Sequence, residues 1–534
     1  MLIKSYPTVT YLNTLNKYYL MQVSTKQYDI IFICGEQYFD HPLCGIAILK
    51  HLLEREGYSV AVIDSPVNDS EITRYGAPKL FFGVSSGSID SMVRNYTPMK
   101  RRRDEDVHLN YDEYIPDRAI TVYSNWVRQH FKTSKIVLGG TEATLRRFSH
   151  YDFWSNKLRK SVLLDTRADI LVYGNGEKQS LEIAERLKND QDLIGIPGTC
   201  ILSKELPGGF IELPSNDEIV DSKESFTDAQ NLFTNKKNLA QKQLTRYVLQ
   251  YAMPEYTTKD LDDYYSFDFD RDIPRGANYL RGFQFSVVTH RGCIGECNFC
   301  AINLTQGNKI ISRSKESILL ELKKIQEHPQ FRGQVDDLTG PSMNMYGLDC
   351  SQSFNCDKKC MDCKLTDKTN KNTIDLLKAA RNVPGIRKVN IKSGIRSDLA
   401  SSELLKELTE HHIFETLRIA PEHVNPEVLK LMNKDRETLD DFIIRFKKIA
   451  PTTKLSFYFM IGHPGCDMTN TEELADAINR LKHTETVQLF TPTPMSNSTC
   501  MYYTSTDLSK KQIYVPYTYN EKKEQKRIIL DVVK

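Results

Sequence analysis

Short apolar runs alternate with helix-period stretches along most of the chain. YDIIFIC (28–34) is a continuous apolar run, as a strand buried on both faces requires. After the loop GEQYFDHPLCG, the segment GIAILKHLLEREGY spaces Ile46, Leu49, Leu52 and Leu53 at helical intervals and predicts a helix ending at Gly57. SVAVIDSP and LFFGVSSGS (80–88) predict two further strands. KIVLGG (135–140) and ADILVYGNGE (168–177) each run a strand into a glycine turn. Strands alternating with helices predict a doubly wound, Rossmann-like parallel sheet over 28–202, preceded by an extension at 1–27. No GxGxxG or phosphate-loop motif is present, so the turns predict no nucleotide site.

The rhythm breaks at 203–280. PGG at 207–209 and the polar stretch 214–242 predict a hairpin or loop followed by helices, and SFDFDRDIPRGANYL an extended connector. This region is expected to be an insert and linker. From 281 the pattern restarts. Strands are predicted in FQFSVVTHRGC, KVNIKSGI (388–395), TLRIAPEH (416–423), KLSFYFMIGHPG (454–465) and TVQLFTPTP (486–494). Helices are predicted in KESILLELKKIQEH, SSELLKELTEHH, PEVLKLMN and TEELADAINRLKH, several opening on serine or threonine caps. The repeat predicts a parallel βα barrel, open or closed, over 281–505, with a cysteine-rich insert at 350–363 and a tail at 506–534. Such barrels carry their sites at the C-terminal ends of the strands.

Composition narrows the class. The chain has 534 residues, too many for one ordinary core. Its 71 basic and 69 acidic residues nearly balance, which gives no electrostatic footprint for nucleic acid, and KRRRDED (100–106) is self-compensating. No apolar run approaches the roughly 18 residues of a membrane span. The first residues lack a basic head followed by an apolar stretch, so a cytoplasmic location is expected. Twelve cysteines in a reducing compartment, seven of them in two tight clusters, predict metal or iron–sulfur ligation rather than disulfides.

Cys293, Cys297 and Cys300 are spaced C-x3-C-x2-C just after a strand. Thiolates suit iron in a sulfide cluster, or zinc. Three on one loop fit three corners of a four-iron cube, leaving one iron open; the alternative is a zinc loop completed by His290 or a distant residue. Cys356, Cys360 and Cys363 repeat the spacing, with Cys350 nearby as a fourth ligand. Four thiolates can close a site, which points to zinc or a second iron–sulfur cluster and away from an open iron. Of the isolated Cys34, Cys44, Cys200, Cys466 and Cys500, most are expected in cores, with Cys44 and Cys466 standing after glycine-rich, loop-like motifs.

The first cluster, with Phe299 before its last cysteine at the start of a βα barrel, resembles the radical S-adenosylmethionine (SAM) superfamily. GGTEATLRRFSHYDFWSNKLRKSVLLDTRADILVYGNGE, DLTGPSMNMYGLDC, SGIRSDLA, RIAPEHVNPEVLKLMNK, FMIGHPG and YNEKKEQKR resemble the YgiQ-type family within it, from about residue 28 to the C-terminus. The resemblance implies a [4Fe-4S] cluster on Cys293, Cys297 and Cys300, SAM on the open iron, and reductive cleavage of SAM to a 5′-deoxyadenosyl radical. It also implies a protein reductant such as flavodoxin or ferredoxin, acting on a small molecule or another substrate it does not specify. Gly340 and Pro341 stand where the superfamily holds the SAM amino group, Ser393 and Arg396 where polar groups meet its carboxylate or ribose. Glu422 ends the fourth strand; Gly462 to Gly465 stand where a glycine turn packs the adenine. A mutual Arg396–Glu422 salt bridge is the alternative for those two.

Two other readings stay open: an iron–sulfur electron-transfer protein without SAM cleavage, and a methylthiotransferase acting on tRNA, for which the tail is too short an RNA-binding domain. VLGG…ADILVYGNGE also resembles the later strands of cobalamin-binding domains. The D-x-H-x-x-G signature is absent: Asp40 and His41 are adjacent and Gly45 follows four on, which argues against cobalamin. A hydrogen-bonded Asp40–His41 pair at the domain interface is expected instead.

Overall fold

The computed structural model describes residues 27–103, 115–350, 356, 358–413, 416–481 and 484–532. The N-terminal extension and the acidic half of KRRRDED lie outside them, apart from Gln27. The first layer is a nine-stranded sheet: β1 (Ile30–Cys34), β2 (Val60–Asp64), β3 (Phe81–Ser85), β4 (Lys135–Leu138), β5 (Ile170–Val172), β6 (Thr199–Ser203), β7 (Ile211–Leu213), β8 (Leu239–Gln243) and β9 (Arg246–Gln250). Its order is β2-β1-β3-β4-β5-β6-β9-β8-β7. The first five strands are parallel, in the doubly wound 2-1-3-4-5 arrangement. IIFIC and FFGVS are buried at every position because helices cover both faces. Gly45–Arg55 and Glu177–Lys188 pack on one of them.

The stretch 203–250 does more than link. It adds three strands to the same sheet, with β9 antiparallel to β6 and β8 antiparallel to β9. Their polar residues hid them from a periodicity reading. Gln241, Gln243 and Gln250 are buried because each side chain serves loop backbone: Gln241 accepts from the Ser149 N–H, Gln243 from the Ser161 N–H, and Gln250 donates to the Thr234 carbonyl. Buried amides with such partners cost little.

From 286 a second, curved parallel array follows in chain order. Its strands are β10 (Ser286–Val288), β11 (Gln334–Val335), β12 (Asp337–Thr339), β13 (Lys388–Val389), β14 (Thr416–Glu422), β15 (Lys454–Ile461) and β16 (Thr484–Leu489). β10 pairs with β12, β11 with β13, β14 with β15 and β15 with β16, and an Ile395–Ile419 bridge joins the halves. β11 and β12 are one strand interrupted at Asp336, so the array is a six-stranded partial barrel. Val287, Leu338, Val389, Ile419 and Phe457 share a core with Leu322, Leu377, Leu404 and Phe446 of the surrounding helices. Among the described residues no helix is long and apolar enough to cross a membrane.

Buried ion pairs join the two layers. Arg291, just before the first cysteine loop, meets Glu177 of GNGE at 2.7 Å. Arg271 and Arg313 share the carboxylate of Glu321, all three buried. Arg271 also donates to the carbonyls of Gln284 and Ser286 and contacts His41. Asp40 and His41 do not pair with each other as expected: Asp40 binds His51 at 2.8 Å, while the His41 ring faces Arg271 and the Gln284 carbonyl. The side chains of these adjacent residues point apart.

Candidate functional site

The first cysteine loop leaves the β10 end of the barrel after the short His290–Arg291 strand. Neighbouring turns fasten it. The Asn298 N–H donates to the Met432 carbonyl, its side-chain amide to the Leu431 carbonyl, and Ser498 N–H to the Asn298 carbonyl. The Asn433 amide donates to the Glu296 carbonyl, where the backbone is left-handed at φ 45°.

The sulfurs are met by donors. The Arg396 guanidinium donates to Cys297 Sγ at 3.2 Å, and the Ile302 N–H to Cys300 Sγ at 3.5 Å. Gly295 makes the first contact possible. A Cβ there would lie 2.3 Å from Arg396 Nη1. Arg396 is held in turn by Asp398, with bonds of 2.9 and 2.6 Å. Burial opposes its charge, but Asp398 and Cys297 outweigh burial and raise its pKa above the usual guanidinium range. Burial likewise works against ionising Asp398, and Arg396 overrides it, holding that carboxyl below the ordinary range. Burial pushes the Cys293 thiol up and the Cys300 thiol to about 12; Arg396 and Lys434 oppose the rise at Cys293. A bound metal displaces such protons.

The remaining expected residues gather unevenly. Glu422 ends β14 with φ at 70°, close enough to Cys300 to raise its pKa, and its carboxylate takes Lys434 Nζ at 3.1 Å. The alternative of an Arg396–Glu422 bridge therefore does not form: each group has a nearer partner, Asp398 or Lys434. Gly340 and Pro341 follow β12, and the buried His290 ring presses on Gly340, where a Cβ would meet its Cε1 at 2.1 Å. His290 Nδ1 contacts Thr289, and burial lowers its pKa to about 3, so the ring is neutral. Ser393 follows β13, next to the Asp337 carboxyl, which accepts from the Lys392 N–H and which burial raises to about 6. Gly462 and Gly465 flank His463, whose ring lies 6.3 Å edge-on from Phe299. That turn packs behind the cysteine loop.

Sequence reasoning passed over Gly295, Asp398, Lys434, Ser342 and Asn344. Asp398 and Lys434 stand inside SGIRSDLA and LKLMNK, and Gly295 inside the cysteine motif itself, so the motifs carry the signal. Ser342 and Asn344 both accept from the Arg396 N–H, and Asn344 donates to the Arg396 carbonyl. Among the described residues no group of three or more Cys, His, Asp and Glu side chains is drawn in tightly enough for a single ion. The donor set suits thiolates bound to iron: three thiols, with a guanidinium and a backbone N–H aimed at sulfur.

A partial βα barrel carrying three cysteines on the loop after its first strand defines a radical SAM protein. The radical SAM superfamily model matches residues 287–481, and the model described as radical SAM N-terminal matches 13–279. The chain belongs to the UPF0313 family. A UPF0313 protein of Fusobacterium nucleatum is 40% identical over 94% of this chain and 96% of its own length, and one of Methanocaldococcus jannaschii 39% identical over 95% and 90%. Two solved structures share the fold at low identity. TsrM from Kitasatospora setae, a radical SAM methyltransferase with cobalamin and a [4Fe-4S] cluster bound, is 15% identical at TM-score 0.55, covering 88% of this chain and 74% of that one. OxsB, a cobalamin-dependent SAM radical enzyme, is 11% identical at TM-score 0.50, covering 95% and 56%. Both neighbours carry cobalamin, so the expectation against that cofactor is not supported.

Proposed function

We propose that this protein is a radical SAM enzyme whose cluster sits on Cys293, Cys297 and Cys300. The observation that carries the reading is the donor arrangement around these thiols. Three sulfurs are supplied, Arg396 is locked onto Cys297 by Asp398, and Lys434 and Glu422 stand at the same rim. When bound, a [4Fe-4S] cluster with an open iron supplies one-electron cleavage of SAM to methionine and a 5′-deoxyadenosyl radical. The chain's own residues do the rest. Arg396 and the Ile302 N–H stabilise anionic sulfur, Gly295 admits the guanidinium, and Gly340 with Pro341 and the 462–465 turn offer backbone for SAM. The test is anaerobic reconstitution with iron and sulfide, then dithionite and SAM. 5′-Deoxyadenosine is expected from the wild type and none from a Cys293→Ala/Cys297→Ala/Cys300→Ala variant. No nucleoside from an iron-loaded wild type would sink the reading.

Cobalamin on the N-terminal sheet is a second reading, favoured by the 2-1-3-4-5 strand order shared with a doubly wound cofactor domain. His41 does not suit the role of cobalt ligand. It is buried, its Nδ1 accepts from the Leu43 N–H, and its Nε2 faces Arg271 and the Gln284 carbonyl. The cofactor would be held without it. Incubation with hydroxocobalamin followed by gel filtration decides: co-elution supports the reading and passage of free corrinoid ends it.

A further inference from the structure

The 350–363 cysteines are not used by the reading above, yet their loop copies the first one. Both have the spacing C-x3-C-x2-C. In the first, the Cys300 N–H donates to the Cys297 carbonyl at 3.0 Å; in the second, the Cys363 N–H donates to the Cys360 carbonyl at 3.2 Å. In the first, the N–H two residues on, at Ile302, donates to Cys300 Sγ at 3.5 Å. In the second, the N–H two residues on, at Leu365, donates to Cys363 Sγ at 3.5 Å. A cation completes each turn at the same position. Arg396 donates to Cys297 Sγ at 3.2 Å, and Lys309 Nζ to Cys360 Sγ at 3.2 Å.

A neutral thiol is a weak acceptor, so donors aimed at sulfur suit a thiolate. The loop is anchored from both layers. Lys236 donates to the Cys356 carbonyl at 2.8 Å, and Arg436 pairs with Asp362 at 3.2 Å. Cys360 and Cys293 border the same apolar group of Ile294, Ile310, Met345, Met361 and Leu399. The second loop therefore lies against the first.

We propose that Cys350, Cys356, Cys360 and Cys363 hold a second iron–sulfur cluster beside the first. It differs where it matters. Cys350 supplies a fourth thiolate, so every iron has a protein ligand and none is open to SAM. A single zinc on the same four thiolates is the competing occupant, and the metal analysis separates the two.

The test is iron, sulfide and zinc analysis of the anaerobically reconstituted full chain. About eight irons and eight sulfides per chain are expected in the wild type. About four should remain in Cys293→Ser/Cys297→Ser/Cys300→Ser and about four in Cys356→Ser/Cys360→Ser/Cys363→Ser. SAM should shift the electron paramagnetic resonance signal of the second variant and leave that of the first unmoved. Lys309→Met keeps every ligand and guards against misfolding. In the first-loop triple background it should retain its iron while the reduction potential falls, because a cation on sulfur favours the reduced cluster. About four irons in the wild type with none in the first-loop variant overturns the proposal. So does about one zinc per chain that only the second-loop variant loses. SAM cleavage by the wild type is scored separately, so failure of either reading leaves the other standing.

Discussion

Gly295→Ala isolates what the protein adds to its own cysteines. The change removes no ligand, and Gly295 lies outside the left-handed region, so alanine is tolerated by the backbone. The new methyl would sit 2.3 Å from Arg396 Nη1 and 3.5 Å from Cys293 Sγ. The first contact cannot stand. Arg396 is pinned by Asp398 and by its own backbone bonds to Ser342 and Asn344, so the guanidinium tip must leave Cys297. A hydrogen bond to a charged group contributes about 1.5–3 kcal/mol. If about 1 kcal/mol of that favours the reduced cluster over the oxidised one, the potential falls by about 40 mV, since a tenfold change in a one-electron equilibrium corresponds to about 59 mV. The assay is a redox titration followed by electron paramagnetic resonance, on protein with its iron content matched to wild type. Arg396→Met should give a shift of the same sign and Gly295→Ser one at least as large. An unchanged potential in Gly295→Ala with full iron would show that the Arg396–Cys297 contact does not tune the cluster.

Glu321→Gln leaves Arg271 and Arg313 buried without their shared carboxylate and should cost about 3–5 kcal/mol, read as a lower denaturant midpoint; a loss below about 1 kcal/mol would contradict the buried triad. Burial raises the Asp337 pKa to about 6, so its carboxyl stabilises the fold fully only below its unfolded value near 4. That contribution is lost as pH rises through about 6, up to about 3 kcal/mol in all. Asp337→Asn should therefore unfold later than wild type at about pH 8, with the gap closing by about pH 4; a pH-independent gap would refute the assignment. Gly340→Ala drives a methyl into the buried His290 ring and should cost about 1–3 kcal/mol. The variant should keep its iron but answer SAM with a weaker spectroscopic shift; an unaltered SAM titration would remove Gly340 from the SAM pocket.

Much was legible from the chain alone because the signals are local. Continuous apolar runs marked the five parallel strands of the first sheet, since a strand covered on both faces has no polar side to show. Helical spacing marked Ser402–His411 and Met468–Leu481. The three cysteines on one loop raise the expectation of metal ligation from the chain alone, because ligand count and softness are properties of the residues themselves. The strands at 239–250 were hidden, since their buried glutamines look like surface until the loops they serve are in place.

Pairing was the part no spacing could give. Arg396 takes Asp398 and Cys297 rather than Glu422, and Glu422 takes Lys434, because partners are chosen by distance across the barrel mouth and not along the chain. The same holds for Glu177 with Arg291, two residues from motifs that look unrelated in sequence and are 2.7 Å apart in the fold. The kinship of the two cysteine loops was half visible. Spacing showed that they resemble each other. Only the tertiary structure brought Arg396 and Lys309, which lie far from one another in the chain, to the matching sulfur of each loop.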